Sequence, residues 1–214
     1  MKRKKKLCLA LCILALFALW TAAVRLVDVQ AIGPTESKIG FATVNGFVHS
    51  LTGVNMALYI ITDWLGLVPI AFVMGFGFQG VCQWIKRKSI LKVDRSILVL
   101  GGFYAVVMAA FLFFEKCVVN FRPVLIEGTL EASYPSSTTM LVMCVMPTAI
   151  MQINERVGNR RIRKFAIWGM RAFTVFMVVG RLFSGVHWLS DIIGGALLSA
   201  GLVLLYDVFS DCVH

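Results

Sequence analysis

Residues 86–114 read KRKSILKVDRSILVLGGFYAVVMAAFLFF: five basic residues between Lys86 and Arg95, then an uncharged run from Ser96 to Phe114. As a helix rising 1.5 Å per residue, that run is long enough to cross about 30 Å of hydrocarbon. A block of lysine and arginine beside it is the pattern that keeps one end of a span in the cytoplasm. Working outward, the same unit recurs along the chain. Five further apolar segments run from Leu7 to Val24, Leu58 to Trp84, Thr138 to Ile153, Ile162 to Phe183 and Ile192 to Phe209. If six spans alternate, the five basic residues before Leu7, the five in Lys86–Arg95 and the five in Arg156–Lys164 share one side. That side is assigned to the cytoplasm, together with both termini.

Composition points the same way. A chain that is 59% hydrophobic and 15% charged, with mean hydropathy +0.83, is excluded from the soluble globular class. The net charge of +10 lies in blocks between spans and calls for no nucleic-acid partner. We therefore expect an all-α polytopic membrane protein, a six-transmembrane-helix bundle forming one domain over residues 1–214, multi-pass in the cell membrane. Cys8, Cys12, Cys82, Cys117, Cys144 and Cys212 include no CxxC pair and read as small apolar side chains. The start, MKRKKK followed by an apolar run and Thr21-Ala22-Ala23, also fits a cleaved secretory signal. The length of the run, with Arg25 and Asp28 after it, favours an ordinary span.

Several patterns read as packing. Gly75, Gly77 and Gly80 match G-x-G-x-x-G, but they lie inside an apolar helix with no strand before them, so close helix contact is expected rather than a dinucleotide site. Gly194, Gly195 and Ser199 are read in the same way, as are Met140, Met143, Met146 and Met151. In the first outer stretch Phe41, Val44, Phe47, Val48 and Leu51 recur at helical spacing. They predict an amphipathic helix, either in the membrane interface or as a lid on the bundle.

The remaining polar groups carry the chemistry, because ionisable residues in or beside spans are costly to keep. Asp63 and Arg171 lie within spans; Asp63 is expected to pair with a basic residue of the bundle and Arg171 to snorkel toward the headgroups. The densest cluster is Gly180-Arg181-Leu182-Phe183-Ser184-Gly185-Val186-His187-Trp188-Leu189-Ser190-Asp191. At four-residue spacing Asp191 can hold the His187 imidazole, fix its tautomer and free the other nitrogen for attack on an electrophile. Upstream stand Lys116, Arg122-Pro123 and Tyr134-Pro135-Ser136-Ser137-Thr138-Thr139, the last a helix-start signal. Free amides at that start, with the Ser136 and Ser137 hydroxyls, can cradle a phosphate that Arg122 and Arg181 grip in bidentate fashion.

These stretches resemble the signature of the type 2 phosphatidic acid phosphatase superfamily, integral-membrane lipid phosphatases whose pattern is Lys-x6-Arg-Pro, Pro-Ser-Gly-His and Ser-Arg-x5-His-x3-Asp. The likeness covers residues 116–191. It implies a helical bundle in which Arg122 and Arg181 bind phosphate, Ser136 and backbone amides assist, His187 forms a phosphohistidine, and Asp191 orients it. No metal and no cofactor are implied.

Three departures stand out. Glu115 occupies the lysine position and Lys116 is offset by one, Gly180 replaces a serine, and Thr138 replaces the histidine that protonates the leaving group. General acid catalysis contributes about 10²- to 10⁴-fold, so an alkoxide-leaving monoester reaction should suffer. A lipid diphosphate releases a phosphate monoester, with a second pKa of about 6, and suffers less. The expected substrate is thus a phosphorylated membrane lipid, a polyprenyl diphosphate above others, unless Glu127, Glu131 or Tyr134 supplies an acid. The expected site is extracytoplasmic. The alternatives are a pseudophosphatase that binds or senses phosphorylated lipids and, with less polar sequence to support it, a lipid transporter.

Overall fold

The computed structural model describes residues 3–210, so Cys212 and Lys2 lie outside it. Among the described residues eight α-helices follow one another: α1 (Arg3–Leu26), α2 (Ala42–Thr52), α3 (Met56–Leu65), α4 (Leu67–Arg87), α5 (Arg95–Lys116), α6 (Ser137–Arg156), α7 (Arg160–Phe183) and α8 (Leu189–Ser210). Six segments are long and apolar enough to cross a membrane, with α3 and α4 counted together as one. The expected all-α six-span bundle is therefore the architecture observed, within a few residues of each expected span.

α6 and α8 form the centre. Half of each of their apolar windows is buried, against about a fifth in the other four spans, which leaves those spans to face lipid. One core joins Phe17 of α1, Leu100, Phe103 and Val107 of α5, Met140 and Cys144 of α6, and Leu198, Leu202 and Tyr206 of α8. A second lies between α6 and α7, where Val142, Val145, Met146 and Ala149 meet Met170 and Met177. The methionines read as packing are packing, Met140 and Met146 fully and Met143 and Met151 at the margins.

The second span is the main departure from the expected single helix. Pro69 sits in the first turn of α4, where its ring disfavours helix continuing through the residues before it. Gly66 closes α3 by donating to the carbonyls of Thr62 and Asp63. α3 packs against the outer part of α7. That approach requires Gly180, where an added Cβ would stand 2.9 Å from the Thr62 methyl. The serine-to-glycine departure therefore admits α3.

Close contact explains only some of the other glycines. Gly194 lies under the Tyr134 ring and Gly195 against Ser136 and Thr139, as expected. Gly75 and Gly77 have no neighbour within 4 Å, and of that motif only Gly80 presses on its partner, Ile97. Gly77 and Gly80, with Gly101 opposite, instead floor an apolar groove of about 340 Å³ between α4 and α5.

α2 also inverts a simple reading. Its apolar Val44, Phe47 and Leu51 are exposed, whereas Asn45 is buried against α8. Asn45 points inward because the start of α8 offers it hydrogen-bonding groups on Ser190. Arg171 is exposed on α7, its guanidinium 6.0 Å from the Trp168 ring.

The helix ends now divide the molecule. The basic blocks at 3–6, 86–95 and 156–164 lie at one end, and the segments 27–55, 117–136 and 184–188 gather at the other.

Candidate active site

The segment between α7 and α8 is held by its neighbours. Gly185 adopts a left-handed φ of +68°, and an added Cβ there would stand 1.9 Å from the Gly53 carbonyl oxygen, so only glycine fits. Its own carbonyl is bonded to the His49 imidazole at 3.1 Å, and Asn55 donates its amide to the Ser184 carbonyl. Two residues on, His187 is buried at 3% exposure.

Asp191, also buried, lies in the first turn of α8 and accepts the Trp188 backbone N–H at 2.9 Å, a reach-back cap favoured by the helix dipole. The same Oδ2 lies 3.7 Å from His187 Nδ1, longer than a hydrogen bond. Burial is the main cause that pushes the imidazole down to about 4, with the Arg122 and Arg181 charges adding to it and Asp191 opposing it. His187 is therefore neutral at physiological pH, and a neutral ring keeps a lone pair for attack.

The other nitrogen, Nε2, faces Arg122 Nη1 at 3.4 Å. Arg122 reaches it from a hairpin-like loop in which Phe121 pairs with Ala132 and the Arg122 amide donates to the Glu131 carbonyl. The side chains of Arg122 and Glu131 are thus cross-strand neighbours, and Nε lies 2.9 Å from Glu131 Oε2. Trp188 ties the loop to α8 by donating its indole N–H to the Phe121 carbonyl at 2.7 Å. His187, Arg122 and Glu131, together with Glu115, Tyr134, Pro135, Ser137 and Met140, line a small cavity of about 50 Å³.

Not every sequence candidate reaches that cavity in the same way. Ser137, the first residue of α6, lines it. Ser136 is fully buried; its hydroxyl accepts from the Thr139 amide and its own amide donates to the Asp191 carbonyl. It acts as the cap of α6 and ties that helix to α8. Lys116 ends α5 exposed, outside the cavity wall, and Glu115 stands in the wall in its place. Thr138 does not line this cavity but an adjoining apolar one of about 440 Å³ between α4, α5 and α6, which shares Phe111, Ser137 and Met140 with it.

Arg181 is turned toward α3. Its Nη2 pairs with Asp63 at 3.2 Å, Nη1 lies 3.3 Å from the Thr62 hydroxyl, and its guanidinium lies 4.9 Å from the Tyr59 ring centroid, while the buried Nε has no hydrogen-bond partner. Asp63 thus has the basic partner expected for it.

Of the possible substitute acids, Glu127 is exposed at the loop tip. Tyr134 shares a hydrogen bond with Thr21, and burial pushes its phenol well above the usual range. Glu131 faces Arg122.

Sequence reasoning passed over two buried asparagines. Asn45 donates to the Ser190 hydroxyl and accepts the Ser190 amide, and Asn120 approaches Ser190 and Asp191 Oδ1 at 3.4 Å. They fasten α2 and the 117–136 loop to the start of α8. Their only sequence signal is a polar residue in an otherwise apolar neighbourhood.

A solved structure, the first transmembrane PAP2 type phosphatidylglycerolphosphate phosphatase from Bacillus subtilis, superposes with TM-score 0.64 over 96% of this chain and 97% of its own, at 16% identity. That likeness concerns the fold. No curated protein matches the chain. The family model described as the PAP2 superfamily matches residues 49–211, which span every helix from α3 to α8 and all the groups around His187. The chain is thus a multi-pass member of the PAP2 superfamily.

Proposed function

We propose that the chain is a lipid phosphatase working at the outer leaflet, with polyprenyl diphosphates favoured, through a phosphohistidine on His187. One observation carries the reading: a buried, neutral imidazole presents Nε2 to the Arg122 guanidinium at 3.4 Å, in a cavity bordered by the first turn of α6. Attack by Nε2 forms the N–P bond as the bridging P–O bond breaks, and the electron pair leaves with the lipid phosphate. Asp191 keeps the proton on Nδ1, its 3.7 Å separation closing as positive charge develops on the ring. Arg122, the Nε–H of Arg181 and the amides of the α6 start stabilise the equatorial oxygens, where phosphoryl transfer is mostly assisted.

The preference for a diphosphate rests on Thr138, which has no acid to offer and faces the apolar cavity. A leaving phosphate monoester needs no proton near neutral pH. The adjoining apolar space suits a lipid chain, and the site's position opposite the basic blocks supports an extracytoplasmic active site with cytoplasmic termini. The test is phosphate release by purified protein from a polyprenyl diphosphate, phosphatidic acid and phosphatidylglycerol phosphate. The diphosphate should be fastest; equal or reversed preference contradicts the substrate assignment. Thr138 also favours a second reading, a pseudophosphatase that binds phosphorylated lipid without turnover. Turnover abolished in His187→Ala excludes it.

A further inference from the structure

A diphosphate substrate removes the need for an acid in the first half-reaction but not the need for a base in the second. Water must lose a proton as it attacks the phosphohistidine, and Thr138 can no more take that proton than give one. We propose that Glu131 is the general base that activates this water, an assignment resting on the lipid-phosphatase reading above.

Glu131 Oε2 stands 2.9 Å from Arg122 Nε, and the same guanidinium presents Nη1 to His187 Nε2 at 3.4 Å. Carboxylate and imidazole are therefore held on either side of one guanidinium. Both residues line the one cavity, so a water beside the carboxylate lies on the side of the guanidinium from which a phosphoryl group on His187 is reached. Oε2 is taken up by the Arg122 contact, and a carboxylate carries a second oxygen that can receive a proton from water. Cross-strand pairing of the Arg122 and Glu131 backbones fixes the carboxylate's position, and 41% side-chain exposure lets water reach it. The charged and titratable groups that share the cavity with it are Arg122, Glu115, Tyr134 and His187.

The step balances. Water oxygen bonds to phosphorus, the P–Nε2 bond breaks and its electron pair returns to the ring. One water proton passes to Glu131, which later releases it to solvent.

The test is rapid-quench kinetics of Glu131→Gln on a polyprenyl diphosphate, with detection of acid-labile, alkali-stable protein phosphate. The first-turnover burst of lipid monophosphate should persist, phosphoenzyme should accumulate, and steady-state turnover should fall about 10²- to 10⁴-fold. Glu131→Asp should recover part of it. A burst slowed as much as the steady state, unchanged turnover, or accumulation in Glu115→Gln instead overturns the assignment. A wild type that releases no phosphate from any lipid overturns the phosphatase reading itself, so the two failures are separable. Because the substitution frees Arg122, inhibition by inorganic phosphate should not weaken in Glu131→Gln; a variant that no longer responds to phosphate has lost the pocket, and a merely structural role for Glu131 follows.

Discussion

Lowering the pH should leave His187 uncharged long after an ordinary histidine has protonated. Its value is pushed from 6.5 down to about 4, first by burial and then by the Arg122 and Arg181 charges. At pH 5.3 an unperturbed imidazole is about 6% neutral, whereas one titrating near 4 is about 95% neutral. The shift is also a stability statement. The unfolded chain takes up the His187 proton as pH falls through 6.5 and the folded chain does not until about 4, so folded-state stability is lost across that window. The loss amounts to about 3 kcal/mol at its lower end. The chain has three histidines, so NMR of histidine-labelled protein in detergent can resolve the titration. One ring, absent in His187→Asn, should stay neutral down to about pH 4. Thermal unfolding should lose stability more steeply in wild type than in His187→Asn between pH 6.5 and 4. A His187 resonance titrating near 6.5, or parallel stability profiles, refutes the buried neutral nucleophile.

Other perturbations follow from the same geometry. Thr138→His should raise turnover of a phosphomonoester such as phosphatidic acid by about 10²-fold while changing the diphosphate rate less than about tenfold, as measured by phosphate release; an unchanged ratio contradicts the missing-acid argument. Gly185→Ala places a Cβ against the Gly53 carbonyl at a left-handed φ and should destabilise by about 2 kcal/mol or more, read as a lowered Tm with loss of activity. Asp63→Asn removes the carboxylate beside Arg181. Asp63 is 59% exposed, so stability should change by less than about 1 kcal/mol, while KM for the lipid rises about tenfold. An unchanged KM means that Arg181 needs no such restraint.

The spans and their alternation were legible because lipid imposes a length and a charge asymmetry that a single sequence records, as in Lys86–Phe114. The neighbourhood of His187 was legible in part: four-residue spacing anticipates Asp191 beside it, at 3.7 Å, and the motif resemblance anticipates Arg122 beside it, at 3.4 Å. What escaped depends on contacts between distant segments. The division of the second span into α3 and α4 needed the packing of Thr62 on Gly180 as well as Pro69. The inward-facing Asn45 of α2 became intelligible only once it met Ser190, 145 residues away. Glu131 was one of three acidic or phenolic candidates until loop pairing set it opposite Arg122. Ser136 and Ser137, adjacent and alike in sequence, separate into a cap and a cavity wall because α6 begins between them.

The central claim is that His187, Arg122 and Arg181 grip one phosphate, and a crystal structure of the protein soaked with inorganic phosphate tests it most directly. The account predicts phosphorus about 3 to 3.5 Å from His187 Nε2, with oxygens on Arg122, on Arg181 Nε and on the amides opening α6. A phosphate bound elsewhere, with His187 Nε2 and Arg181 Nε unapproached, would contradict it.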